Sequence, residues 1–250
     1  MSKIDFQPII LGSDENAYAV ARAFHEEYGI KSIVVTENGM LATMHSKIVE
    51  IVNMENIEDP STFVNKMNDL RKQIESKAKK FILIASNENY AELCIRNKEL
   101  LEENFLLPFV DESLLDELMY KENFYNLCEK SSLDYPATVI FEKEMEIETL
   151  KLPFDFPIVV KPSNTVTYFT SQFQGKEKAY IIYDQQTLVE TVKMIYSSSY
   201  EDSLIIQDYI PGGDDSMYVI NAYVDQQSKV RLMSLGHVVL EDCKIGRAHV

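Results

Sequence analysis

No stretch of this 250-residue chain reaches the roughly 18–20 consecutive apolar residues needed to cross a bilayer. Met1-Ser2-Lys3-Ile4-Asp5 does not begin a secretory signal. The expectation is a cytoplasmic protein without a membrane span. Cysteine is scarce. Cys94, Cys128 and Cys243 stand far apart without CxxC spacing, which argues against a disulfide framework or a zinc site and leaves plain thiols. Positive charge is short as well: 24 Lys and Arg stand against 40 Asp and Glu, for a net charge of −16. Neither nucleic acid nor an anionic membrane would be held by bulk electrostatics, so any polyanion must be met by a few placed cations.

What the chain does have is a hydrophobic content of 46%, enough to build an ordinary globular core. Residues 6–11 read as a strand running into the turn Gly12-Ser13-Asp14. Ala17, Val20, Ala21, Phe24 and Tyr28 then recur at helical spacing, Gly29 stops the helix, and 31–35 is the next strand. Strand, turn, helix and strand within about thirty residues make a βαβ unit, whose crossover is right-handed. The Gly12-Ser13-Asp14 turn is not part of a GxGxxG fingerprint, so no dinucleotide site is read there. Two uses remain for it: Ser13 or Asp14 caps the helix, or the turn faces substrate at the carboxyl end of its strand. A strand at 47–52, a helix from Pro60 to about Lys77, a strand at 81–86 and a helix over 87–103 continue the alternation. That order predicts a doubly wound, mostly parallel sheet covered on both faces, ending near Pro108.

Beyond residue 110 the pattern turns towards α+β. Two helical stretches, a turn at 131–136 and a strand at 137–141 lead to the apolar run Phe156–Val160, which ends on Lys161-Pro162. Strands at 179–183, 204–210, 216–225 and 229–239 follow, with a helix from Gln186 to about Ser197 and a hairpin loop at 225–228. A lysine held at a strand end can pair with phosphate, while acids and backbone groups leaving a neighbouring strand can read a base edge and ribose hydroxyls. Residues 156–216 together read as a nucleotide clamp.

This ordered set resembles the ATP-grasp carboxylate-amine ligases. The resemblance implies a Rossmann-like preATP-grasp domain at 1–110 and a partial α+β ATP-grasp domain at 111–242. It implies ATP and Mg2+ as cofactors, with Lys121 and Lys161 as the nucleotide lysines, and Lys161 is the first candidate for a catalytic role. Ile206-Gln207-Asp208-Tyr209-Ile210 is similar to the segment beside adenine, which places Gln207, Asp208, Tyr209 and Ile210 at the nucleotide; Asp214 or Asp215 would bind ribose. Leu11-Gly12-Ser13-Asp14, Phe24-His25, Tyr28-Gly29-Ile30 and Lys161-Pro162-Ser163-Asn164 look most like the D-aspartate ligases of peptidoglycan assembly. Gly12, Ser13 and Asp14 are then the substrate-binding candidates. The implied reaction activates a small carboxylate as an acylphosphate and passes it to an amine of a peptidoglycan precursor. A different small-acid substrate, or a noncatalytic nucleotide-binding module, are the alternatives.

Two departures from the family pattern stand out. The loop 163–175 contains only Gly175, where the family uses glycines so that backbone N–H groups approach phosphate oxygens. The family's magnesium ligands lie on later strands, so no metal ligand is assigned within this chain. His25 reads as a surface residue, and His237 as a residue behind the nucleotide site. Ile245-Gly246-Arg247-Ala248-His249-Val250 matches a translated sequencing adapter, so residues 243–250 are expected to be an artefactual tail on a truncated gene fragment.

Overall fold

A computed structural model describes residues 5–119 and 121–239; the side chains of Lys121, Glu122, Thr165, Val166 and Asp214 lie outside the described set, as do residues 240–250, the 243–250 tail among them. The chain divides into two compact units, 1–119 and 120–250, while the limit drawn from sequence falls at residue 110.

The first unit contains β1 (Phe6–Leu11), α1 (Glu15–Tyr28), β2 (Ser32–Thr36), α2 (Leu41–Met44), β3 (Val49–Asn53), α3 (Pro60–Gln73), β4 (Lys80–Ala85), α4 (Glu88–Arg96), α5 (Lys98–Leu101) and α6 (Glu112–Met119). Its four strands are parallel in the order β3-β2-β1-β4. Both faces are buried, which is why β1 and β2 read as continuous apolar runs rather than alternating ones. Ile9, Leu11, Ile33 and Val35 pack with Phe63, Met67 and Leu70 of α3, whereas Ile10 and Val34 pack with Ala17 and Ala21 of α1.

Side chains just outside the helices set where they begin. Asp14 accepts from the Ala17 N–H at 2.9 Å, Asp59 from Ser61 with Pro60 at the first helical turn, and Asn87 from Tyr90. Gly29, at φ 66°, ends α1 in the left-handed conformation. The single helix expected over 87–103 is two helices. The Asn97 amide donates to the Leu93 carbonyl at 2.9 Å, and this local bond competes with continuation of the backbone ladder. Arg96 pairs within α4 with Glu92 at 2.7 Å and holds α6 against α4 through Glu112 and Asp116, at 2.7 and 3.0 Å.

The second unit contains α7 (Lys121–Lys130), β5 (Thr138–Phe141), β6 (Ile158–Pro162), α8 (Thr165–Thr170), β7 (Tyr180–Ile182), α9 (Gln185–Tyr196), β8 (Leu204–Asp208), a 3-10 turn at Asp214–Ser216, β9 (Tyr218–Val224) and β10 (Val230–His237). Four strands form an antiparallel sheet in the order β5-β8-β6-β7, and β9 with β10 forms a separate hairpin. One face of the four-stranded sheet carries Ile158, Val160, Leu204 and Ile206 into a core with Leu188, Val192 and Ile195 of α9 and the buried Tyr168 and Tyr200. Asp225 closes the expected hairpin loop by accepting from the N–H groups of Gln227 and Lys229.

The segment after Lys161 differs from the open loop expected. Asn164 accepts from the Thr167 N–H at 3.2 Å and α8 follows directly. Tyr168 anchors it, donating to the Glu177 carbonyl at 2.6 Å. With little glycine and a buried aromatic anchor, the segment folds as a short helix.

Candidate functional site

The antiparallel register decides which side chains of the second unit share a face. Val159 lies opposite Gln207 and Lys161 opposite Ile205, so these four leave the sheet together on the face away from α9. Lys161 is 6% exposed and Gln207 0%, so both are buried. Lys161 and Gln207 are diagonal neighbours, about 7–8 Å apart by the spacing of such pairs and within reach of each other's long side chains.

Gln207 is also opposite Thr138 on β5. Its amide nitrogen donates to the Thr138 hydroxyl at 2.7 Å, and that hydroxyl donates to the Pro136 carbonyl, also at 2.7 Å. The Tyr125 hydroxyl of α7 faces the same amide; burial raises the Tyr125 pKa, and the Gln207 contact offsets part of that rise. Tyr125 stacks on Tyr135 with ring centroids 5.5 Å apart. The Gln207 carbonyl oxygen is buried and has no hydrogen-bond partner among the described residues. A buried acceptor left in this state costs about 1–3 kcal/mol unless a donor meets it.

The remaining nucleotide candidates lie where β8 leaves the sheet. Asp208 is half-buried and its N–H donates to the Ala137 carbonyl at 2.9 Å, while Ile210 is exposed. Tyr209 reaches the Gly212 carbonyl at 3.5 Å. The Asp215 carbonyl accepts from His237 Nε2 at 2.7 Å, and the His237 ring stacks on Tyr218, so His237 ties β10 to this turn. The side chains of Lys121 and Asp214 lie outside the described residues. Thr138 and Tyr125 did not stand out in the sequence; only the register, across 69 positions, brings Thr138 to Gln207.

In the first unit, the strand order places a switch point between β1 and β4, where open parallel sheets bind ligands. Gly12 sits there at φ 99°, and a Cβ on it would lie 2.1 Å from Ser86 Oγ, so only glycine fits. Ser86 Oγ is buried without a partner among the described residues. Of the two uses foreseen for the turn, Asp14 performs the capping one. The Ser13 hydroxyl donates to the Asn38 carbonyl at 3.2 Å and accepts from the Met40 N–H at 3.0 Å, which pins the loop after β2. That loop and the end of β3 border a 620 Å³ cleft lined by Glu37, Asn38, Gly39, Asn53, Glu55 and Asn56. Among the described residues no cluster of three or more His, Cys, Asp or Glu is arranged to hold a metal, and no helix is long and apolar enough to cross a membrane.

The chain, a parallel α/β unit followed by an antiparallel sheet, is similar in fold to solved ligase structures. An L-amino acid ligase from Bacillus licheniformis matches at a TM-score of 0.61 with 14% identity, over 95% of this chain and 54% of that one. The fold is that of the ATP-grasp ligases. An N5-carboxyaminoimidazole ribonucleotide synthetase, solved as an ADP complex, matches this ATP-grasp fold at 0.58 with 15% identity, over 94% and 54%. The biotin carboxylase domain of a Hydrogenobacter thermophilus 2-oxoglutarate carboxylase, solved with MgADP and bicarbonate, matches at 0.55 with 16% identity, over 83% and 45%. In sequence, a D-aspartate ligase from Enterococcus faecium (strain Aus0004) is 40% identical over 242 residues. The match takes in 95% of this chain and 58% of that protein's length. No protein-family model matches the chain. The expected resemblance to ATP-grasp carboxylate-amine ligases, with D-aspartate ligase as a relative, is borne out.

Proposed function

We propose that this chain is the nucleotide-binding portion of an ATP-dependent ligase that joins D-aspartate to an amine of a peptidoglycan precursor in the cytoplasm. The observation that carries the reading is the burial of Lys161 beside Gln207 on one sheet face, in a chain 40% identical to a D-aspartate ligase. In an acidic protein, a cation sequestered in this way is what a polyphosphate requires.

Gln207, Asp208, Tyr209 and Ile210 would line the base, Asp214 or Asp215 the ribose, and Lys121 with Lys161 the phosphates. The orphaned Gln207 carbonyl fits an adenine, whose exocyclic amine is a donor. The reaction has two steps. A carboxylate oxygen of the amino acid attacks the γ-phosphorus of ATP and ADP leaves; the acceptor amine then attacks the acyl carbon and phosphate leaves. Lys161 would neutralise charge on the phosphate oxygens during transfer, and Mg2+ bound with the nucleotide would supply further charge. The first domain, placed by sequence at residues 1–110, would present the Gly12-Ser13-Asp14 turn to the carboxylate substrate, and residues 111–242 would hold the nucleotide.

The test is phosphate release from ATP with Mg2+, measured on the full-length gene product with D-aspartate, L-aspartate and other small acids and a peptidoglycan precursor as acceptor. The reading expects release with D-aspartate that falls at least a hundredfold in Lys161→Ala. ATP binding without release for any acid would favour a noncatalytic nucleotide-binding module and overturn the ligase.

A further inference from the structure

The hydroxyl of Thr138 has one proton, and the Pro136 carbonyl, which can only accept, takes it at 2.7 Å. Towards Gln207, 2.7 Å away on the other side, Thr138 can therefore only accept. With that proton on Pro136 the group facing it is the amide NH2, because a reversed amide would leave two acceptor oxygens competing for the single Thr138 proton. The amide carbonyl then points away from Thr138, buried and unpartnered. An Asn or Gln amide is normally ambiguous in direction; here the orientation with NH2 towards Thr138 is the one that satisfies both the Thr138 and Pro136 oxygens with the protons at hand.

From this we infer that Thr138 is a positioning residue for base selection: by locking the Gln207 amide it displays an acceptor, so the site takes nucleotides with a 6-amino group and rejects those with a 6-oxo group. The inference rests on the nucleotide reading above and extends it to a residue that would not itself touch the ligand. A carbonyl displayed towards a 6-oxo base would leave two acceptors facing each other in a buried site.

Binding of ATP and of inosine triphosphate to the full-length protein, by calorimetry, tests it without reference to turnover. The wild type is expected to favour ATP. Thr138→Val removes the acceptor that holds the NH2, frees the amide to reverse, and should reduce the ATP to ITP preference about tenfold, the scale of one buried hydrogen bond. Thr138→Ser should keep the preference. In Thr138→Val with Gln207→Glu, the carboxylate has no NH2 to present, and the preference for ATP should return. An unchanged preference in Thr138→Val, or no recovery in the double variant, overturns the positioning role. Failure of the wild type to bind either nucleotide would instead overturn the nucleotide reading on which it depends.

Discussion

The two four-stranded sheets both bury their central strands but bury different chemistry. In the first unit, the second half of β1 and the middle of β2 place only hydrocarbon on both faces, from Ile9, Ile10 and Leu11 to Ile33, Val34 and Val35. Apart from Ser32 at the start of β2, buried polar groups gather at the carboxyl ends, around Gly12, Ser13 and Ser86, where open parallel sheets present ligand sites. The second sheet has one hydrocarbon face against α9, while its opposite face buries Lys161 and Gln207 within the strands themselves. Sequestering an ammonium and an amide is costly, and nothing in packing a sheet requires it. The first sheet explains how its unit holds together. The second carries the buried polar groups on which the proposed nucleotide site rests.

Paired substitutions test this contrast. Ile10→Ala, in a fully buried site of the first sheet, should cost about 2–5 kcal/mol of that unit's stability by chemical denaturation and leave nucleotide affinity unchanged. Gln207→Leu should do the reverse: stability stays within about 1 kcal/mol, because an unsatisfied acceptor is replaced by hydrocarbon, while ATP binding weakens tenfold or more. A large stability loss in Gln207→Leu would make the second sheet as structural as the first.

The smallest expected effect is one the two units share. Asp59 caps α3 in the first unit, and its carboxyl is held below the ordinary value of 3.8 by the Ser61 hydroxyl and then the Ser61 N–H. Asp184 caps α9 in the second, lowered by the Thr187 N–H and then its hydroxyl. A folded-state pKa below the unfolded one stabilises fully above about pH 4, and that contribution is lost as pH falls through the folded value. Melting temperatures should therefore fall below about pH 4. Asp59→Asn and Asp184→Asn should each flatten that acid limb, and an unaltered limb would assign it to other carboxylates.

How much of this was legible in the chain follows from the range of the interactions. The strands of the first sheet show because burial on both faces writes continuous apolar runs, and its helix starts show because Asp14, Asp59 and Asn87 act within three residues of themselves. The Lys161 strand shows for the same reason. The break at Asn97 depends on one side-chain bond that competes with the helix, and the helix after Lys161 depends on a distant anchor for Tyr168. Apolar periodicity encodes neither. The Gln207 site was read only in part: Gln207 was named by family resemblance, but Thr138 and Tyr125 reach it through an antiparallel register that joins residues 69 positions apart.

The most direct measurement is the ATP dependence of the melting temperature in the presence of Mg2+, for the wild type and Lys161→Met side by side. If the buried face of the second sheet holds the nucleotide, the wild-type transition rises with ATP concentration as binding to the folded state requires, and the Lys161→Met transition does not move over the same range. Equal shifts in both proteins would contradict the account, because the nucleotide would then be held somewhere that does not need the buried lysine.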